Sequence, residues 1–268
     1  MLAARAVRKK GWPHPSQLRG SMKRIALIIG WLFLAAPCWG VSAYVQSTHC
    51  TVCSSLAFGS NVTAGNNIYV VVFDGAGSGT TISATDGQSN TYTLNKTANL
   101  ATDLDTVGVL CAPIASSGAL TVTPHSNGGT LTGGIIIYEV SGGTCTTDGS
   151  NSQNVVAGPP TSCDSQSITT AFANDVLVGL CGTAHTNETF TLGTGWSHLE
   201  QVGTQAGNDN NLGGEIIVGS NSAGSFDAQM SYTNGAEYAA IIVAYKSSGG
   251  GGGASCTPTL MLLGVGRC

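Results

Sequence analysis

Five glutamates (Glu139, Glu188, Glu200, Glu215 and Glu237) and nine aspartates are the carboxylates available for chemistry. Paired carboxylates are what glycoside hydrolysis uses. Glu139 stands out, because it follows Ile135-Ile136-Ile137-Tyr138, an apolar run whose burial would raise the pKa of an acid inside it. No second carboxylate lies beside it at strand spacing, so the expectation is one buried carboxyl bonded to turn backbone, with no catalytic residue. Of the histidines that follow residue 43, His49, His125, His185 and His198, none forms an H-x-H or H-x-x-x-H pair. His49 precedes Cys50-Thr51-Val52-Cys53 and could hold zinc with the two thiolates, but an exported chain in an oxidising setting would close Cys50 and Cys53 as a disulfide. A thioredoxin-like role would need a βαβ setting that the sequence lacks. Nucleophile-elbow, P-loop and dinucleotide fingerprints are missing.

Two binding chemistries remain. Sugars stack on exposed aromatic faces, and Trp196, in Gly193-Thr194-Gly195-Trp196-Ser197-His198, is the candidate contact residue; the competing reading is a cap over one open end of the fold. Calcium is a weaker option. Asp103 and Asp105, or Asn208, Asp209, Asn210 and Asn211, gather oxygen ligands in single loops, yet polar loops carry Asp and Asn for turn chemistry anyway. No cofactor is expected otherwise.

Charge is distributed unevenly. Seven of the ten basic residues (Arg5, Arg8, Lys9, Lys10, Arg19, Lys23 and Arg24) precede residue 25, an apolar run Ile25–Ala36 follows, and Val41-Ser42-Ala43 supplies small residues for cleavage. This order reads as a secretory signal over 22–43, with Met22 as the natural start and residues 1–21 as upstream misreading. The apolar run falls short of the roughly 20 residues that span a bilayer, and Pro37 argues against a lipoprotein signal at Cys38. Beyond residue 43 only Lys96, Lys246 and Arg267 stand against fourteen acids, so the net charge is 3 − 14 = −11. Nucleic acid and anionic lipid are therefore excluded as partners, and no membrane span is expected after cleavage.

Eight cysteines remain after the leader, an even number suited to disulfides in an exported chain. Position along the sequence suggests Cys145–Cys163 around a polar loop, Cys111–Cys181 between strand ends, Cys256–Cys268 in the tail, and Cys50–Cys53.

The elements that must position these residues read as strands throughout. Gly, Ser, Thr, Asn and Val dominate, and short β-like runs alternate with turn signals. Ten strands are predicted: 67–73, 80–85, 91–95, 106–112, 119–123, 134–140, 175–182, 214–219, 225–232 and 238–246. Those at 67–73, 134–140 and 238–246 are unbroken apolar runs, as in central strands covered on both faces. In 225–232, alternation puts Phe226, Ala228, Met230 and Tyr232 on one side. The stretch 144–160 reads as a loop, and no internal repeat stands out. The fold class is all-β: a single two-sheet, jelly-roll-like sandwich over 44–246, a Gly/Ser linker over 247–253, and a Cys-containing tail over 254–268.

Several segments, in order, carry a family resemblance. Ser60-Asn61-Val62-Thr63-Ala64-Gly65-Asn66-Asn67-Ile68-Tyr69-Val70-Val71-Val72, Thr85-Asp86-Gly87-Gln88-Ser89-Asn90-Thr91-Tyr92, Tyr138-Glu139-Val140-Ser141-Gly142, Thr170-Ala171-Phe172-Ala173-Asn174-Asp175-Val176-Leu177, Gly193-Thr194-Gly195-Trp196 and Val243-Ala244-Tyr245-Lys246 resemble a jelly-roll module of uncharacterised secreted proteins from environmental bacteria. The resemblance implies an adhesin-like or carbohydrate-binding-like role and brings no catalytic residues; the cysteines and the tail depart from it. Two further functions compete: a structural subunit of an extracellular filament or surface layer, self-assembling through an open sheet edge, and, more weakly, a glycoside hydrolase.

Overall fold

The computed structural model describes residues 41–75, 79–102, 105–127, 131, 133–155, 161–185, 188–203, 210–234 and 237–249. Residues 1–40, which hold most of the segment read as a secretory signal, most of the Gly/Ser linker and the tail, with Cys256 and Cys268, lie outside them. Every regular element described is a strand: β1 (Ala43–Thr51), β2 (Leu56–Ala57), β3 (Asn67–Asp74), β4 (Ile82–Asp86), β5 (Thr93–Asn99), β6 (Thr106–Pro113), β7 (Thr121–Ser126), β8 (Gly134–Ser141), β9 (Gly143–Val155), β10 (Ile168–Thr169), β11 (Val176–Ala184), β12 (Phe190–Thr191), β13 (Ser197–Val202), β14 (Asn210–Ile217), β15 (Ser225–Phe226), β16 (Ser231–Tyr232) and β17 (Tyr238–Ser247). All pairings between them are antiparallel.

The unbroken apolar runs become the central strands. β3, β8 and β17 are buried along nearly their whole length, which β-branched residues on both faces make favourable. Two five-stranded sheets, in the orders β1-β8-β3-β6-β5 and β13-β14-β11-β17-β9, bury one core between them. Tyr69, Val71, Phe73, Val107, Val109, Ile136 and Tyr138 from one sheet meet Val176, Val178, Leu180, Leu212, Ile241 and Val243 from the other. Each sheet also buries its outer face. The three-stranded sheet β2-β7-β4 covers the first through Leu56, Phe58, Ile82 and Val122. The pairs β10-β15 and β12-β16 cover the second. The arrangement has four layers, not the two expected.

Those layers follow one plan used twice. Read from its first strand, the second sheet runs β9-β17-β11-β14-β13, which repeats β1-β8-β3-β6-β5 with each strand replaced by its counterpart. Within the second half, β15 and β16 together take the place of β7, joining β10 and β12 as β7 joins β2 and β4. Detail follows the plan as well. Val45 is an extra, unpaired residue on β1, and Asp148 is its counterpart on β9. Gly65 and Asn174, in the turns before β3 and β11, both adopt the left-handed region, at φ 88° and 65°, a conformation that Gly and Asn reach at least cost. The first strand of each half lies against the fifth of the other, β1 beside β13 and β9 beside β5, so the halves are related by an approximate two-fold axis. The sequence conceals this, because the halves share hydrophobic pattern and few identities.

Two local expectations are corrected. The stretch 144–160 is not one loop: β9 is a thirteen-residue edge strand of Thr, Ser and Asn paired along β17. At the end of the domain, strand pairing continues through Ser247, and the Ser248 amide bonds Gly142 O at 2.7 Å, so the linker begins later than 247. The alternation in 225–232 holds, with Ala228, Met230 and Tyr232 buried, but the single strand expected there is two short ones, β15 and β16.

Candidate functional site

Trp196 is not an exposed platform. The turn Gly193–Trp196 closes through Trp196 N–H to Gly193 O at 3.2 Å, with Gly195 at φ 86°. It folds the indole onto the outer face of the second sheet among Ile168, Leu177, Ala228 and Ile242, where it is 8 % exposed. Gly179 makes room, since a Cβ there would lie 3.1 Å from the ring's Cη2. The indole N–H donates to Asp227 O at 2.9 Å. Glycine and polar neighbours say nothing about which way a ring points; roughly 200 Å² of aromatic surface finding an uncovered sheet decides it. Glu215 is buried beside it on the same face. Its Oε2 accepts the Gly193 amide at 2.9 Å and its Oε1 has no partner. Burial pushes this acid up to about 7 against the lowering effect of the Gly193 amide, with Asp227 adding to the rise.

The disulfides differ from the pairing expected from position. Cys111 joins Cys145, and Cys163 joins Cys181. Strand parity explains the exchange. Cys111 faces the core between the sheets, whereas Cys181 points to the outer layer with Phe190 and Met230, so the two cannot meet. Cys111–Cys145 ties β6 of one half to β9 of the other; Cys163–Cys181 ties the outer layer to β11. Two disulfides point to an oxidising, extracellular environment. Cys50 and Cys53 are free thiols here, not the expected bridge. Cys53 is pushed up to about 12, first by burial and then by its contacts with Cys50; Val52, at φ 48°, turns the chain between them.

Most carboxylates are structural. Glu139 is fully buried and accepts from Thr63 N–H at 2.9 Å, Asn66 Nδ2 at 2.6 Å and Gln46 Nε2 at 2.6 Å, so the single bonded carboxyl is what is found. Glu188 accepts from Thr233 Oγ1 and the Asn234 amide, and Glu237 from the Thr102 amide. Of the calcium candidates, Asp103, Asn208 and Asp209 lie outside the described residues. Asp105 is buried and its carbonyl accepts the Leu100 amide. Asn210 pairs in β14, and the Asn211 side chain bridges His185 O and the Glu188 amide. Among the described residues no cluster of three metal-ligating side chains occurs.

Two constellations escaped the reading of the sequence. One is a seam where edge strands β1 and β13 meet. Glu200 bridges Ser47 Oγ and His49 Nδ1, the latter at 2.5 Å, and Tyr44 Oη lies 2.7 Å from Ser47 Oγ. Tyr44 stacks on His198 with centroids 3.7 Å apart and planes at 5°. A Ser-His-acid triad needs histidine in the middle; here the carboxylate is in the middle, so the hydroxyl is not activated by the imidazole. Around this seam are the exposed side chains of Val41, Val45, His49 and Val52. The other is a carboxylate pair. Asp175 is fully buried just before β11, facing Asp148; the Ser247 amide lies near it, though neither oxygen meets a donor in good hydrogen-bond geometry. Burial raises it to about 7, Asp148 adds to the rise, and the Ser247 amide and Lys246 oppose it. The second becomes visible once the strand plan aligns Ala64-Gly65-Asn66 with Ala173-Asn174-Asp175; for the seam the sequence carries no signal.

No known protein family, curated protein or solved structure matches this chain.

Proposed function

We propose that the chain is exported and serves outside the cytoplasm as a non-catalytic module for surface adhesion or glycan binding, built from two jelly rolls packed through their larger sheets. The strand order of each half supports that description: β1-β8-β3-β6 with a smaller β2-β7-β4 layer is the pattern of two interleaved Greek keys. The contact surface is the β1–β13 seam. One observation carries this reading: at the seam the exposed His198 stacks on the half-buried Tyr44, with Val41, Val45 and His49 exposed on the same strand and the segment before it, while Trp196 is buried. A glycan array probed with wild type, Tyr44→Ala, His198→Ala and Trp196→Phe tests it. Binding lost in the first two variants and kept in the third is the expected result; binding that survives Tyr44→Ala removes the seam from consideration.

A second reading, assembly into a filament or surface layer, draws on the same strand. β1 ends its sheet and its backbone pairs only with β8, and Val45 on it and Val41 just before it are exposed, the features of an edge open to another strand. Concentration-dependent growth in size-exclusion chromatography, abolished by Val45→Lys, would favour it. A glycoside hydrolase is the least supported, since it needs carboxyls roughly 5 to 9.5 Å apart across a sugar, whereas Glu139 is engaged by protein donors and Asp148 and Asp175 face each other directly.

A further inference from the structure

The approximate two-fold axis permits one corner of each half to be compared part for part: the bulge on the first strand, the turn before the third and the end of the last. In the first half a carboxylate from β8, Glu139, fills this corner, and its donors are the Thr63 amide, the Asn66 side chain and Gln46. In the second half the carboxylate comes from the bulge. Asp148 Oδ2 accepts the Ala171 and Phe172 amides at 2.5 and 3.3 Å. Phe172 stands where Thr63 stands, so the backbone donor is preserved. Asp175 stands where Asn66 stands, and there the chemistry inverts. Asn66 brings an NH₂ group to its carboxylate; Asp175 brings a second carboxylate, fully buried and turned toward Asp148; the Ser247 amide lies beside it, but no donor meets either oxygen in good hydrogen-bond geometry.

Two carboxylates so placed repel unless something positive lies between them. Lys246 does not fill that place: its Nζ is 4.5 Å from the centre of the Phe172 ring, and it reaches neither oxygen of Asp175. A hard divalent cation suits the corner, because it takes carboxylate oxygens and completes its shell with backbone carbonyls and water; Asp148 is partly exposed, so water has access. We propose that Asp148 and Asp175 form a calcium site that fastens the turn at 171–174 to the bulge of β9. This pair is separate from the loops in which the sequence suggested calcium. With only two carboxylates, its affinity falls in the range of extracellular calcium modules, with a dissociation constant of about 10⁻⁴ to 10⁻³ M.

Isothermal titration with calcium chloride, and thermal unfolding in calcium against EDTA at constant ionic strength and neutral pH, test the proposal on the disulfide-intact chain lacking its leader. Wild type is expected to bind one calcium and to gain about 3–6 °C in Tm at ten times the dissociation constant, with magnesium weaker. Asp148→Asn and Asp175→Asn should each lose that response while remaining at least as stable as wild type in EDTA. No heat or shift in wild type overturns the proposal. So does a shift that survives in both variants, which would be general screening of an acidic surface. A calcium-insensitive wild type that loses clearly more stability between about pH 5 and pH 8 than Asp175→Asn does, the shared loss from Glu215 cancelling in the comparison, would assign the bridge to a shared proton and also refute the site.

Discussion

Glu215→Gln offers a direct test of the buried layer over the second sheet. Glu215 is fully buried with one oxygen bonded to the Gly193 amide and the other unpartnered, and burial raises it from 4.5 to about 7. A raised acid favours folding while protonated. Its contribution is complete below the unfolded pKa of 4.5 and is lost as pH rises through 7. At about 1.4 kcal/mol per unit, the full loss is on the order of 3 kcal/mol. Glutamine keeps the acceptor for Gly193 and removes the titration, at a cost of about 1 kcal/mol for an amide NH₂ with no acceptor. Urea denaturation of both proteins with disulfides intact, from about pH 5 to about pH 8, should therefore show wild type ahead at the acid end and the variant ahead at the alkaline end. The difference between them should change by about 2–3 kcal/mol across that range, and other titrating groups cancel in the comparison. A difference that stays constant with pH would mean that Glu215 is solvated, and that the loop carrying Trp196 does not seal it.

Two further outcomes follow from the disulfides and from Trp196. Removing Cys111–Cys145, whose partners are 34 residues apart, should cost up to about 4 kcal/mol by loop entropy, and removing Cys163–Cys181, 18 apart, about 3 kcal/mol; peptide mapping under non-reducing conditions that recovers Cys145 linked to Cys163 would reject the pairing outright. Trp196 is the only tryptophan after residue 43, so its fluorescence should resist acrylamide quenching until the domain unfolds, and Trp196→Ala should cost about 3–5 kcal/mol; free quenching in the native state would put the indole back on the surface.

The central strands were legible because they satisfy a one-dimensional rule. Ile68–Phe73, Ile135–Tyr138 and Ala240–Tyr245 are apolar without interruption, and they are the strands covered on both faces. β9 was not legible, because an edge strand made of Thr, Ser, Asn and Gly has the composition of a loop, and only its ladder to β17 makes it a strand. The short strands β2, β10 and β12 of the outer layers escaped for the same reason: two residues carry no period. Glu139 was singled out correctly as a lone buried carboxyl, since the run before it dictated burial. Trp196 was read from its neighbours, which govern the backbone turn and not the destination of the ring.

The sequence alone determined an all-β chain with an acidic region beyond residue 43, a cysteine set suited to oxidation and buried central strands, because each of these follows from composition or from a period of two. Tertiary structure alone decided the rest: that the strand plan occurs twice about an approximate two-fold axis, that Cys111 finds Cys145 and not Cys181, and that Asp175 meets Asp148 where its counterpart Asn66 meets Glu139. These depend on which face a residue occupies and which distant strand lies opposite, and neither is encoded in local pattern.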